Sequence, residues 1–134
     1  MVNYAGHGSV DLWRGNLLTS ADARGLGNVG RLPVFVMMTC LNGYFHDAAI
    51  DSLAEALMKA DGGAVAVWAS TGMTAPLEQW AMNEELYRVM FWSNGLKGQS
   101  LTLGEAVEKA KAKITDVDVR LTWALLGDPA MKLR

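Results

Sequence analysis

The 134-residue chain predicts an α/β domain, a layered sheet of mainly parallel strands flanked by helices. Strand-like apolar runs alternate with segments of helical periodicity, the order that builds parallel sheets. The run at residues 32–38 is almost continuously apolar, as expected of a strand buried on both faces. Two of the strand-like runs also end in reactive side chains, residues 2–6 before His7 and residues 33–39 before Cys40. Sheets of this class present their chemistry at the carboxyl ends of the strands.

Taken in order, residues 2–4 read as a short strand, and Gly6 and Gly8 flank His7 so that its loop can turn tightly. Residues 11–30 form a polar connection with a short helical stretch near residues 20–26, for which Ser20-Ala21-Asp22 is the start signal. After the buried strand, residues 40–47 form a loop whose turn signal is Asn42-Gly43. Ile50, Leu53, Ala54, Leu57 and Met58 then recur at helical spacing within residues 48–60, and Asp61-Gly62-Gly63 ends that helix. Residues 64–69 are the next buried strand, and residues 70–74 form a third loop at the same rim. Pro76 starts a helix running to about residue 92 and closed by Asn94-Gly95. Thr102 with Glu105 three residues on is a capping-box pattern, predicting a helix to about residue 115. Gly127-Asp128-Pro129 breaks the last segment, residues 121–133, before a short apolar tail. The aromatics Trp80, Tyr87, Phe91 and Trp92, at helical spacing, are read as core.

Composition narrows the function. With 51% hydrophobic residues, 19% charged residues and a net charge of −2, the chain fits one domain, residues 1–134, with a real core. Lysines and arginines form no cluster, which argues against a nucleic-acid partner. No apolar run reaches the roughly 18 residues needed to span a bilayer, and no signal peptide is visible. One cysteine and two histidines are too few for a zinc site, so no metal and no cofactor is expected. Asp11, Asp22, Asp47 and Asp51 fit no calcium loop and read as solvated or capping residues.

The reactive residues read best as a pair. A lone cysteine at a strand end is commonly packing, but His7 is polar and lies between two glycines. A thiol nucleophile needs a base to take its proton. His7 and Cys40 are therefore the candidate catalytic dyad, with the amides of Gly8 and Cys40 as the oxyanion hole and a peptide bond as the substrate. Glycine at position 8 leaves the approaching carbonyl oxygen uncrowded. Ser70, Thr71 and Gly72, in the third loop, are candidates for a wall of the substrate pocket. His46, beside Asp47, is a rival base that reads more simply as a surface or helix-entry residue. Ser9 is a weak rival nucleophile because the Gly-x-Ser-x-Gly elbow is missing. A nucleotide-binding reading of Gly6-His7-Gly8 lacks both Gly-x-Gly-x-x-Gly and a helix directly after the loop.

Asn3-Tyr4-Ala5-Gly6-His7-Gly8-Ser9, the Pro33 to Cys40 stretch and Leu41-Asn42-Gly43-Tyr44-Phe45 together resemble the gingipain family of cysteine peptidases. Ser52-Leu53-Ala54-Glu55-Ala56-Leu57, Gly62-Gly63-Ala64-Val65-Ala66 and Leu126-Gly127-Asp128-Pro129-Ala130 resemble it as well, in the same order. The resemblance implies a caspase-like fold, a dyad of His7 and Cys40, and peptide-bond hydrolysis by a secreted or cell-surface bacterial protein. In that family the sheet begins well before the His-Gly motif, and residues orienting the histidine and defining the primary specificity pocket lie upstream. The chain is accordingly expected to be the C-terminal portion of a peptidase domain, lacking N-terminal strands. Its first strand would then expose an edge open to self-association. The alternative function is a catalytically inactive module of the same fold with a binding or protein-export role.

Overall fold

The computed structural model describes residues 1–92 and 101–133. Its sheet has four strands in the order β1 (Val2–Ala5), β2 (Val34–Met38), β3 (Ala66–Ser70) and β4 (Trp123–Gly127). The first three run parallel, and β4 lies antiparallel to β3. Between β1 and β2 comes α1 (Ser20–Arg24), and between β2 and β3 comes α2 (Leu53–Lys59). The path from β3 to β4 passes through α3 (Pro76–Tyr87), a π turn over Arg88–Trp92, α4 (Leu103–Ala112) and α5 (Val117–Thr122).

Alternation along the strands divides the core in two. Val34, Val36, Met38, Ala66 and Trp68 point to one face, where α3, α4 and α5 supply Met82, Leu86, Leu103, Val107 and Val119. Phe35, Met37, Val67 and Ala69 point to the other, against Ala23 of α1 and Leu53, Ala54 and Leu57 of α2. Leu53 and Leu57 are wholly buried, each contributing about 2 kcal/mol by leaving water. Both faces of β2 and β3 are covered, which is why their sequences are continuously apolar.

Helix starts follow local chemistry. Thr19 with Asp22, Ser52 with Glu55 and Thr102 with Glu105 each form a reciprocal capping box. The helix expected over residues 48–60 begins only at Leu53. Asp47 accepts the amides of Ala49 and Ile50 in a separate turn, and Ser52 is the N-cap. The last helix read from the sequence stops at Ala112, and residues 121–133 contain β4, whose single-sided pairing on β3 was not evident from its composition. Asn94-Gly95 lies outside the described residues.

The aromatics of α3 and its π turn overturn the core expectation. Trp80 is 71% exposed and Trp92 77%, and Phe91 is exposed as well. The helix turns Gln79, Met82 and Leu86 toward the sheet, so Trp80 faces outward. Trp80, Tyr87, Phe91 and Trp92 instead line an open groove of about 960 Å³ with Asn83 and Lys113.

Candidate active site

The loop after β1 is built to hold a histidine backbone still. Gly6 donates its amide to Met38 O at 3.1 Å, carrying the strand pairing one residue beyond β1. The Tyr4 ring stacks on Trp13, with centroids 4.1 Å apart and planes 9° apart. Its hydroxyl donates to the His7 carbonyl at 2.8 Å, and the Arg14 amide donates to the same oxygen at 2.9 Å. The chain then folds back, Ser9 N–H to Leu12 O at 3.0 Å, bringing Gly8 opposite Trp13. The His7 side chain is left exposed at the sheet rim.

The loop after β2 is tighter. Thr39 is wholly buried, Cys40 is half-buried, and Leu41 takes a left-handed backbone with φ of 62°. That conformation costs a branched residue about 1–2 kcal/mol, and such strain concentrates at functional sites. Buried Asn42 donates through Nδ2 to Ser9 O at 2.5 Å and to Leu12 O at 3.3 Å. One side chain thus ties the cysteine loop to the histidine loop. A Cβ on Gly8 would stand 2.5 Å from Thr39 Oγ1 and 3.1 Å from Asn42 Oδ1, so the two loops meet in contact.

Strand pairing puts the loops that carry the two reactive residues at the same end of the sheet. Ala5 pairs with Met38, the last pair of the ladder, and His7 and Cys40 each lie two residues past the end of these neighbouring strands. Neighbouring strands lie about 4.8 Å apart. The two positions therefore share one rim. Among the described residues, the amides of Gly8 and Cys40 donate no hydrogen bond, so both N–H groups are free for another acceptor.

The third loop completes the rim. Leu41 donates its amide to Gly72 O at 3.1 Å, and Gly43 donates to Ser70 O at 2.8 Å. Ser70, Thr71 and Gly72 direct their polar groups into the loop and its support. Ser70 Oγ donates to Gly72 O, and the Thr71 amide and hydroxyl both donate to Thr122 O. Gly72 packs against the Thr122 methyl. It is Thr74 that reaches the thiol, with its carbonyl 3.8 Å and its hydroxyl 3.7 Å from Cys40 Sγ.

The rival groups are engaged elsewhere. His46 stacks on Phe45 with centroids 4.5 Å apart and leans on Tyr44, while Asp47 caps its own turn. Ser9 donates its hydroxyl to Asp11, and Asp22 closes the α1 capping box. Asp51 pairs with Lys59 and Arg24, and the Lys59 hydrogen bond holds its carboxyl below the usual range. Sequence reasoning missed Asn42, taken as a turn residue, and Thr74, whose contact with Cys40 spans 34 positions. A polar residue two places after the cysteine was the only local trace of the former.

A model of peptidase family C25 matches residues 1–134, the whole chain. The chain belongs to peptidase family C25. Gingipain R2 of Porphyromonas gingivalis is 32% identical over all of this chain, which spans 19% of that relative. Gingipain R1 of the same organism is also 32% identical, with 14% of its length spanned. The crystal structure of the Arg-specific cysteine proteinase gingipain R matches with a TM-score of 0.88 and 28% identity, over 99% of this chain and 33% of that one. A complex of the pro- and mature domains of P. gingivalis RgpB matches at 0.85 and 27%, over 98% and 33%. The C25 chain therefore has the caspase-like α/β fold of the gingipains and spans a third or less of these proteins. No helix among its described residues is long and apolar enough to cross a membrane.

Proposed function

We propose that this C25 chain carries the His-Cys dyad of a cysteine peptidase, with Cys40 as nucleophile and His7 as base. The observation that carries the reading is that the two residues follow the paired ends of neighbouring parallel strands, on loops tied together by Asn42. His7 takes the thiol proton, and the thiolate attacks the carbonyl carbon of a peptide bond. The free amides of Gly8 and Cys40 receive the resulting oxyanion, a contribution of about 3 kcal/mol per donor. Collapse breaks the C–N bond while the His7 imidazolium protonates the leaving amine. Water, deprotonated by His7, then cleaves the thioester and restores the thiol. Ser70, Thr71 and Gly72 shape the wall beside this path by holding the third loop in place.

A peptidyl acyloxymethyl ketone tests the assignment. We expect one equivalent to attach to Cys40, read by mass spectrometry, with peptide hydrolysis falling in proportion to labelling. Hydrolysis that persists after complete modification of Cys40 overturns the dyad. A protein that hydrolyses no peptide at all supports the inactive binding or export module instead. The gingipain likeness further points to a secreted or cell-surface bacterial setting and to membership of the C-terminal portion of a longer peptidase domain.

The outer edge of β1 has no strand partner among the described residues. Unpaired amides and carbonyls on an edge can template pairing with another strand. We expect the 134-residue chain to self-associate with rising concentration in sedimentation velocity runs. A monomer at all concentrations up to about 100 μM, above the micromolar range where weak pairing registers, argues against an accessible edge.

A further inference from the structure

We propose that the Thr74 hydroxyl donates a hydrogen bond to the Cys40 thiolate, which makes Thr74 a catalytic residue of the site. This deepens the peptidase reading and rests on Cys40 as its nucleophile. Thr74 offers the sulfur two groups of opposite character, a carbonyl oxygen at 3.8 Å and a hydroxyl oxygen at 3.7 Å. While the thiol keeps its proton, S–H donates to the carbonyl. Once the proton has gone to the base, the carbonyl lone pairs face an anion and repel it. The hydroxyl rotates about its C–O bond and can then present O–H to the sulfur. A single residue thereby serves both protonation states. Hydrogen bonds to an ionised partner are about twice as strong as neutral ones, so the exchange favours the thiolate.

The loop is anchored well enough for this to matter. Leu41, the residue after the cysteine, donates its amide to Gly72 O, so the thiol and Thr74 are linked through a second bond between the same two loops. Beyond Gly72, the Thr71 amide and hydroxyl both clamp to Thr122 O at 2.7 and 2.9 Å. Gly72 lies close against Thr122, since an added Cβ would stand 2.8 Å from its methyl. Residues 70–75 carry no titratable side chain. The ionisable groups on the loops meeting at the rim include His7, Asp11 and Arg14 after β1, and Tyr44, His46, Asp47 and Asp51 after β2; Glu78 lies in the first turn of α3. The third loop thus meets the sulfur with neutral groups, the Thr74 carbonyl and hydroxyl.

The test compares second-order rates of Cys40 alkylation by iodoacetamide at pH 7 in the full chain. We expect Thr74→Val, which keeps the shape and loses the donor, to slow alkylation about tenfold. Thr74→Ala should slow it equally, and Thr74→Ser, which keeps the hydroxyl, should stay within about twofold of the parent. Thermal melts check that each variant is folded. Where peptide hydrolysis is measurable, kcat should fall with KM unchanged for Thr74→Val and recover for Thr74→Ser. Equal alkylation rates in Thr74→Val and the parent, or equal slowing in Thr74→Val and Thr74→Ser, overturn the proposal. Alkylation reads the thiolate directly. Slowed alkylation together with full peptide hydrolysis in Cys40→Ala would thus reject the peptidase reading while leaving the Thr74 hydrogen bond in place.

Discussion

Cys40→Ala should abolish peptide hydrolysis by the full-length peptidase, a loss of about 10⁴-fold or more in kcat/KM, and His7→Ala should come close to it. The expectation rests on the two residues each following the end of one of two paired parallel strands. Removing the sulfur removes the covalent path, whereas removing the imidazole leaves a thiol without its base. The two losses should not add. A double variant as inactive as Cys40→Ala alone is the signature of groups that act as a unit. His46→Ala should keep most of the activity, since that ring is stacked on Phe45 and exposed. Steady-state hydrolysis of a fluorogenic peptide by the four variants decides the matter. If His46→Ala proves more damaging than His7→Ala, the base has been assigned to the wrong histidine.

Gly8→Ala should damage both stability and catalysis. An added Cβ would stand 2.5 Å from Thr39 Oγ1, 3.0 Å from the Leu12 carbonyl oxygen and 3.1 Å from Asn42 Oδ1. Thr39 and Asn42 are wholly buried, and the Leu12 oxygen belongs to the backbone, so none of the three can simply swing away. Overpacking of this kind costs about 1–3 kcal/mol. Relief requires the histidine loop to lift from the cysteine loop, which carries His7 and the free Gly8 amide out of line together. A shift of about 1 Å at reacting groups is enough for a 10²-fold loss in rate. The expected result is a lower melting temperature with kcat/KM reduced by about that factor. Gly27→Ala is the control, because nothing lies within 4 Å of a Cβ there, and it should leave both quantities unchanged. A Gly8→Ala protein with parental melting and parental activity would show that the two loops are not in contact in solution.

Much of the local architecture was legible because its causes are local. Each capping box is a short-range exchange in which a hydroxyl and a carboxylate three residues apart each accept the other residue's backbone amide, and Thr102 with Glu105 was readable on that ground. Doubly buried strands betray themselves by continuous apolar composition, as β2 does. Where a local signal conflicts with a neighbour the reading failed. Periodicity extended α2 back to residue 48, but the Asp47 side chain captured the amides that a helix would have needed.

The sequence by itself determined the α/β class, the strands that lead into His7 and Cys40, and the pairing of those residues as candidates. Tertiary structure alone decided how their loops meet. The β1–β2 register, the Asn42 clamp between loops and the approach of Thr74 to the sulfur each join positions about 30 or more residues apart, as the register and hydrogen bonds show. It also decided which face of α3 is core. Apolar residues lie on both sides of that helix, so spacing cannot say whether Met82 and Leu86 or Trp80 turn inward. Only the sheet they pack against chooses, because burial is a property of the contact and not of the residue.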